Sequence, residues 1–194
     1  MDFEIEPGNT PLDPTEAEGL IPTIWTKKEL NQAEGANILV ARRWALLDQD
    51  IQTNIQSSAN LRLLHQKMFD KTWRWPGKYR VTQKSIGIEA FRISTELKIL
   101  TDDIKAWVEF ATYSPDEIAT RFHHRLVQIH AFPNGNGRHA RLATDILCNQ
   151  LGIEAFSWGA KSLINAEEVR KRYIAALQLA DGHDYSEIMT FVRS

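Results

Sequence analysis

The feature that most constrains the fold is a pair of helix patterns within residues 114–151, separated by a short loop. Ser114 and Pro115 are followed by two acidic residues. This is a strong helix start, because the serine caps, the proline fits the first turn and the acids face the positive helix end. The first helix then carries apolar residues at helical spacing, Ile118, Phe122, Leu126 and Ile129. A second helix is predicted from Gly137 and ends before Gly152.

Similar patterns predict helices over most of the remaining chain. Thr26 and Glu29 form a capping box that starts a helix reaching to about residue 47. Further helices are predicted over residues 59–69, 94–111, 166–180 and 185–192. Two short β-prone runs around a polar turn, within residues 78–88, predict one small hairpin. The predicted fold class is mainly α, with a small β-hairpin.

Composition bounds the class of protein. The chain has 194 residues, near the usual size of one domain, and residues 1–25 are predicted to form an extended arm because glycine and proline interrupt every regular pattern there. The formal net charge of -2 gives no overall positive field, so no direct nucleic-acid binding is expected. One cysteine, Cys148, cannot form an internal disulfide. With neither a signal sequence nor an apolar span, a cytoplasmic protein without membrane contact is expected.

The loop and the start of the second helix, residues 130–141, carry a pattern suited to phosphate chemistry. Two glycines let the backbone approach a ligand closely, and the helix start that follows offers free N–H groups to an anion. Arg138 and Arg141 share a helix face and can reach the same phosphate chain. Two arginines early in a helix oppose its dipole unless an anion binds there. His130 could take a proton near neutral pH.

This segment resembles the signature of the Fic family, His-x-Phe-x-Asp/Glu-Gly-Asn-Gly-Arg-x-x-Arg. The matching residues are His130, Phe132, Gly135, Asn136, Gly137, Arg138 and Arg141. Residues 75–80 resemble the start of the family's flap hairpin, and residues 122–129 and 181–185 resemble the segments around its motif. The resemblance covers about residues 61–192. Residues 9–22 are similar to the group of Fic-domain proteins called mobile mystery protein B.

The resemblance implies a Fic-type helical bundle with a flap beside the active-site loop, and a role for each matching residue. His130 would be the general base that deprotonates a target hydroxyl, and Phe132 would anchor the loop. The nucleotide phosphates would be bound by an anion hole and two arginines, namely Gly135, Asn136, Gly137, Arg138 and Arg141. An extended segment of the target would pair with the flap, through Tyr79, Arg80, Val81, Thr82, Ile86, Gly87 and Ile88.

The sequence departs from the family's pattern inside the motif. Ala131 replaces the common proline, which removes no reacting group. Asn134 stands where the family usually has its acidic magnesium ligand. An amide oxygen can bind Mg²⁺ but lacks the charge that strengthens the contact. We therefore expect Mg²⁺ to be held mainly through the phosphates of ATP, with Asn134 as a weak ligand.

The helix that starts at Thr26 is similar in part to the inhibitory helix of many Fic proteins, Ser/Thr-x-x-x-Glu-Gly/Asn. Glu34 is followed by glycine as in that pattern, but Leu30 replaces the hydroxyl residue. Glu34 also falls on the buried face of its helix, where an unpaired charge is costly. The hypothesis is a Glu34–Arg141 contact; the alternative is a glutamate at the helix rim paired with solvent or another basic residue. The implied domains are an inhibitory helix over residues 26–48 and a Fic core over 59–194, together forming the domain 26–194.

The resemblance implies a protein adenylyltransferase that moves AMP from ATP to a serine, threonine or tyrosine hydroxyl of a target protein. The alternatives are a Fic-type phosphotransferase, a de-AMPylase, or a catalytically silent binding or antitoxin-like module. Both arginines favour AMP transfer, because the phosphotransferase motif usually has lysine in place of Arg138. The resemblance also suggests a toxin-antitoxin role with a DNA-binding partner protein.

The other histidines in the core region are interpreted as structural. His65, His123, His124 and His139 are expected to pack, cap or lie at the surface rather than to ligate a metal. Tyr173 is interpreted either as a core residue or as a side chain that flanks the adenine.

Overall fold

The structure is a computed structural model that describes residues 14–160 and 165–194. The described part consists of helices joined by loops, the longest of which is the irregular stretch over residues 70–89. In chain order they are α1 (Pro14–Ala17), α2 (Lys27–Ala45), α3 (Gln49–Asn54), α4 (Ser58–Phe69), α5 (Ile93–Glu109, preceded by a 3-10 turn over Ala90–Arg92), α6 (Pro115–Ile129), α7 (Asn136–Gln150), α8 (Ala166–Asp181) and α9 (Ser186–Arg193). The mainly α prediction is confirmed.

Helix starts follow the capping signals of the sequence. The Thr26 hydroxyl accepts from the Glu29 backbone N–H at 3.2 Å, while the Glu29 carboxylate accepts from the Thr26 N–H at 2.9 Å, so the predicted capping box is present. Ser114 caps α6 by accepting from the Glu117 N–H. Helix α3, which has six residues and is capped by Asp48, was not predicted, because so short a helix carries little periodic signal.

The predicted β-hairpin is wrong. Residues 79–89 contain no strand, and the β-structure of the described residues is a single isolated bridge between Leu20 and Trp73. The physical reason lies in Arg80, whose guanidinium donates to the carbonyls of Thr82 and Ile88. These carbonyls are therefore taken by a side chain instead of by a cross-strand ladder. The flap is an irregular loop.

The N-terminal segment is only partly extended. Residues 1–13, including the first five residues of the segment 9–22 that resembles mobile mystery protein B, lie outside the described residues. Residues 14–25 begin with α1 and then run along the chain after α4. The Trp75 indole N–H donates to the Glu16 carbonyl at 2.9 Å, and the Arg74 N–H donates to the Gly19 carbonyl at 2.8 Å. The segment is thus fixed to the body of the protein.

The core has two parts, and both include residues of α6 and α7. The larger part joins α2, α4, α5, α6 and α7 and contains Phe69, Trp73 and Phe122. The smaller part packs α8 and α9 against the other side of α6 and α7, around Tyr173 and Ile188. Among the described residues, no helix is both long enough and apolar enough to cross a membrane.

Candidate active site

The loop from His130 to Gly135 has a shape fixed by its own side chains. Helix α6 ends at His130, which adopts the left-handed conformation (φ 52°), and α7 is capped by Gly135 (φ 78°). The buried Asn136 amide accepts from the Phe132 N–H at 2.9 Å and donates to the Phe132 carbonyl at 2.7 Å. Asn136 therefore closes the loop on itself, so its side chain shapes the predicted anion hole from within.

A layer of aromatic rings supports the loop from below. The buried Phe132 ring stacks on the His65 ring with 3.8 Å between centroids. His65 Nδ1 accepts from the Gly77 N–H at 3.0 Å, so the proton resides on Nε2, which donates to the Asn134 carbonyl at 3.0 Å. Burial holds the pKa of His65 well below its ordinary value. His65 is thus a neutral structural link, as predicted, and Phe132 anchors the loop.

The start of α7 offers backbone donors to an anion. The Gly135 N–H is taken by the Asn134 side chain at 2.7 Å, and the N–H groups of the first helical turn have no acceptor within the helix. Gly135 also sits against the Phe69 ring, where a Cβ would lie 2.4 Å from a ring carbon. A glycine is therefore required here both by φ and by space.

His130 lies at the end of α6 as a buried imidazole. Its ring is buried, and burial together with the positive charges of Arg80 and Lys84 lowers its pKa to about 4. The imidazole is therefore neutral at pH 7, the form that acts as a general base. A Cβ on Gly87 of the flap would approach the His130 Cβ to 2.6 Å, so flap and loop lie in direct contact.

Arg138 is paired with Glu34, and the predicted Glu34–Arg141 contact is wrong. Nη1 of Arg138 lies 2.7 Å from Oε2 of Glu34. Glu34 is 2% exposed, and its other oxygen accepts from the Trp73 indole N–H at 2.8 Å. The Arg138 side chain is 36% exposed and its guanidinium lies over the Phe69 ring. The expectation that Glu34 is buried and needs a cation is met, but by the first arginine of the motif.

Arg141 is turned towards α8 instead. Its guanidinium lies over the Tyr173 ring, 4.8 Å from the centroid. The Tyr173 hydroxyl is 2.8 Å from His123 Nε2, and burial raises the pKa of Tyr173 to about 12. The buried Nε of Arg141 has no hydrogen-bond partner among the residues that the structure describes. Tyr173 is a core residue, as one of its two interpretations predicted, and it also supports an arginine that still has a donor to offer.

The flap residues divide into exposed and buried groups. Val81 is 90% exposed, and Ile86 is exposed as well, so these two can meet a partner. Tyr79 packs over Phe132, with 5.8 Å between ring centroids. Arg80 is 2% exposed and faces inward, so it is not available to a target. Of the residues predicted to bind a target, Val81 and Ile86 are therefore accessible and Arg80 is not.

The N-terminal helix α1 lies on this flap. The Glu16 carboxylate accepts from the Thr82 hydroxyl at 3.2 Å and lies 2.5 Å from Lys84 Nζ. Both partners belong to the flap, and Lys84 is one of the charges that acts on His130. The flap is therefore held from the N-terminal side as well as from the motif.

The described residues contain no cluster of three or more His, Cys, Asp or Glu side chains suited to a metal ion. Asn134 contributes one amide oxygen, which already accepts the Gly135 N–H. One remaining lone pair on a neutral oxygen is a poor basis for a resident Mg²⁺. The other predicted structural histidines have internal partners: His139 Nε2 donates to the Leu61 carbonyl, and His124 contacts Tyr185 and Asp181.

Sequence reasoning did not predict the contacts by which three residues connect these parts. Trp73 shares Glu34 with Arg138, Arg80 joins the flap to the motif loop, and His65 joins the loop to the turn at Gly77. His65 lies four residues after Leu61, on the apolar face of α4, which was a signal for burial. The roles of Trp73 and Arg80 depend on contacts between distant segments and carried no local signal.

Residues 56–148 match the model of the Fic/DOC family. The match contains the whole loop, both arginines and the flap. These residues belong to the Fic/DOC family. Helices α8 and α9, together with α2 and its Glu34, lie outside the matched range.

Known proteins with Fic domains are similar in sequence and in fold. The chain is 29% identical over 119 residues to the protein adenylyltransferase Fic of Aedes aegypti, covering 60% of this chain and 22% of that protein's length. The fold resembles the N-terminal FIC domain of Bep8 from Bartonella sp. 1-1C, with a TM-score of 0.70 and 16% identity over 89% of this chain and 88% of that one. It also resembles a Fic domain of Bartonella quintana with bound ADP, with a TM-score of 0.68 and 21% identity over 88% of this chain and 86% of that one.

Proposed function

We propose that the chain is a protein adenylyltransferase that moves AMP from ATP to a hydroxyl of another protein. The observation that carries the proposal is a neutral His130 beside the start of α7, with Arg138 and Arg141 on the same helix. The name of the Aedes aegypti relative points to the same activity. The ADP in the Bartonella quintana structure is what a site of this kind would bind.

In this proposal each group has one task. His130 takes the proton of the target hydroxyl, and the oxygen forms a bond to the α-phosphorus of ATP. The bond between that phosphorus and the oxygen bridging to the β-phosphate breaks, and pyrophosphate leaves with the electron pair. Arg138 and Arg141 neutralise the β- and γ-phosphates, while the first turn of α7 binds phosphate oxygens. The chemistry requires positioning and charge neutralisation more than covalent participation.

The metal and the partners complete the proposal. Mg²⁺ would enter with ATP, bound chiefly by its phosphates, and would neutralise their charge, with Asn134 as a neutral ligand at most. The target would present a serine, threonine or tyrosine on an extended segment, met by the exposed Val81 and Ile86. A DNA-binding partner and a toxin-antitoxin role, in the manner of mobile mystery protein B, belong to the same proposal.

Glu34 would act as a brake on this activity. A carboxylate at 2.7 Å from Arg138 occupies one of the two cations that the phosphates need, and its charge repels them. ATP and Glu34 would therefore compete for Arg138. The domain division follows: residues 26–48 form the inhibitory helix and 59–194 the Fic core, with residues 1–25 as an N-terminal arm.

The test is transfer of label to proteins of a lysate. His130→Asn should abolish labelling from ATP carrying ³²P at the α-position, because asparagine tolerates the left-handed backbone (φ 52°) but cannot act as the base. The matched control is His183→Asn, an exposed histidine that is also left-handed (φ 68°). This control should label as the wild type does.

The alternatives give other results in the same experiment. Label from the γ-position alone would identify a phosphotransferase. Loss of AMP from a prelabelled target would identify a de-AMPylase. Binding of a target without any transfer, in wild type and in Glu34→Gly, would identify a silent module and overturn the proposed function.

A further inference from the structure

Arg80 is a buried cation whose guanidinium donates to four backbone carbonyls. Arg80 is 2% exposed, although a guanidinium is among the groups whose burial costs most free energy. A planar group with five donors is suited to fixing several acceptors in one geometry. The position of those acceptors therefore indicates what Arg80 does.

On one side Arg80 contacts the end of α6. Its Nε donates to the His130 carbonyl at 2.6 Å, Nη2 lies 3.4 Å from the Ile129 carbonyl, and its backbone N–H donates to the Ala131 carbonyl at 3.0 Å. The last carbonyls of a helix have no partner within it and favour a positive charge. Arg80 thus supplies the C-terminal cap of α6 at the residue where the chain turns left-handed.

On the other side Arg80 closes the flap. Nη1 donates to the Thr82 carbonyl at 3.0 Å and Nη2 donates to the Ile88 carbonyl, so one side chain joins the two ends of the loop. Gly87 lies between: a Cβ there would stand 2.8 Å from Nη2 of Arg80 and 2.6 Å from the His130 Cβ. The flap can pack this closely on His130 because residue 87 has no side chain.

We propose that Arg80 is a positioning residue that locks the flap and the backbone of His130 into one unit, so that the target segment and the proton acceptor keep a fixed spacing. This inference rests on the proposed AMP transfer. Arg80 acts through His130 and the flap; it touches neither ATP nor target. Its effect should therefore fall on turnover and on use of the target, while ATP binding, which depends on α7, should be spared.

The experiment compares Arg80→Lys and Arg80→Met with Arg62→Lys. Arg62 is the matched control because its Nε donates to the Gly77 carbonyl at 2.9 Å, beside the same loop, without touching the motif. Arg80→Lys should lower kcat about tenfold, equivalent to about 1.4 kcal/mol, and raise KM for the target, with KM for ATP unchanged within about twofold. Arg80→Met should lower kcat further, and Arg62→Lys should leave all three constants near wild type.

A second readout does not need activity. The imidazole NMR signals of His130 and the hydrogen exchange of residues 82–88 should both change in Arg80→Lys and stay unchanged in Arg62→Lys. Charges that face His130 from the flap side, Lys84 and its partner Glu16, are present in every variant. If the wild type transfers no AMP, the proposed function fails while these signals still decide the role of Arg80. Unchanged signals and exchange, or a loss confined to KM for ATP, would overturn the inference.

Discussion

At the scale of single residues, the loop that carries His130 is held by side chains that each leave little freedom. Asn136 closes the loop on Phe132, His65 fixes the Asn134 carbonyl, and Gly135 makes room for the Phe69 ring. These contacts all lie within the protein itself. They would preorganise the anion site proposed at the start of α7, which is what phosphate transfer requires of a protein.

Gly135→Ala should destabilise the fold by about 2–4 kcal/mol, because the new Cβ meets the buried Phe69 ring at 2.4 Å and the backbone has φ +78°. The control is Gly152→Ala, with φ +72° and no atom within 4 Å of the new Cβ. It carries only the backbone strain, about 1 kcal/mol. Urea unfolding measures both, and equal losses in the two variants would contradict the role assigned to Phe69.

The chemistry of its residues made the motif predictable. It did not predict which arginine of the motif contacts Glu34. His130, Arg138 and Arg141 could be assigned to one site because a base, an anion-binding helix start and paired cations suit one reaction. The choice of Arg138 over Arg141 as the partner of Glu34 depends on α8, which holds Arg141 over Tyr173. A contact between α7 and α8 leaves no trace in the sequence of either helix.

At the scale of elements, α2 is a helix whose buried face carries two polar residues with defined partners. Glu34 contacts Trp73 and Arg138, and the Asn37 amide donates to the Lys67 carbonyl and accepts from the Lys71 N–H. These bonds fix the register of α2 on the end of α4. The position of Glu34 relative to Arg138 is therefore fixed by the packing of α2.

Glu34→Gly should raise labelling about tenfold, the change that about 1.4 kcal/mol of lost competition for Arg138 would give. Glu34→Gln is the second variant, because it keeps an oxygen for the Trp73 indole and removes the charge. Gln32→Gly, exposed on the same helix, carries the glycine cost without touching the site and should label as wild type does. Equal labelling by all four proteins at subsaturating ATP would show that Glu34 is not a brake.

Helices were predictable from caps and apolar spacing because both signals are local. The capping box of α2 and the serine cap of α6 acted as expected. The hairpin is absent because the Thr82 and Ile88 carbonyls accept from the Arg80 side chain of the same segment, and this side chain is held by the His130 carbonyl at the end of α6. Propensity describes a segment on its own, and here a tertiary contact overrides it.

At the scale of the whole molecule, the protein buries several histidines in their neutral form. Burial is the largest cause that lowers the pKa of His123 to about 3 and that of His139 to about 4, and His65 is shifted the same way. A neutral histidine in the folded state and a pKa near 6.5 in the unfolded state mean that the unfolded chain binds more protons below that pH. This contribution to stability is complete above about pH 6.5 and is lost as the pH falls towards 4.

The free energy of unfolding should therefore decrease between pH 7 and pH 5 by about 1.4 kcal/mol per pH unit for each such histidine once the pH is below 6.5. Urea unfolding at pH 7.5, 6 and 5 measures the slope. His183→Asn, which removes an exposed histidine, should keep the slope of the wild type. A free energy of unfolding that is constant from pH 7.5 to pH 5 would contradict the inference that the buried histidines are neutral in the folded protein.

The general architecture could be expected from the sequence, since its helices were signalled one by one. The partners of the buried polar groups could not be predicted, because the sequence around a histidine on an apolar helix face does not indicate which distant carbonyl it will meet. His139 and Leu61 are 78 residues apart in the chain. Such pairs are set only when the helices assemble.

The hydrogen bond from the Trp73 indole to Glu34 makes this tryptophan an intrinsic fluorescence probe of the site. A carboxylate at 2.8 Å from an indole N–H affects its emission, and in the proposed function the same carboxylate would leave Arg138 when a triphosphate binds. ATP binding is therefore expected to change the fluorescence of this buried ring. The difference between wild type and Glu34→Gln on titration with ATP isolates this ring from the other five tryptophans of the chain.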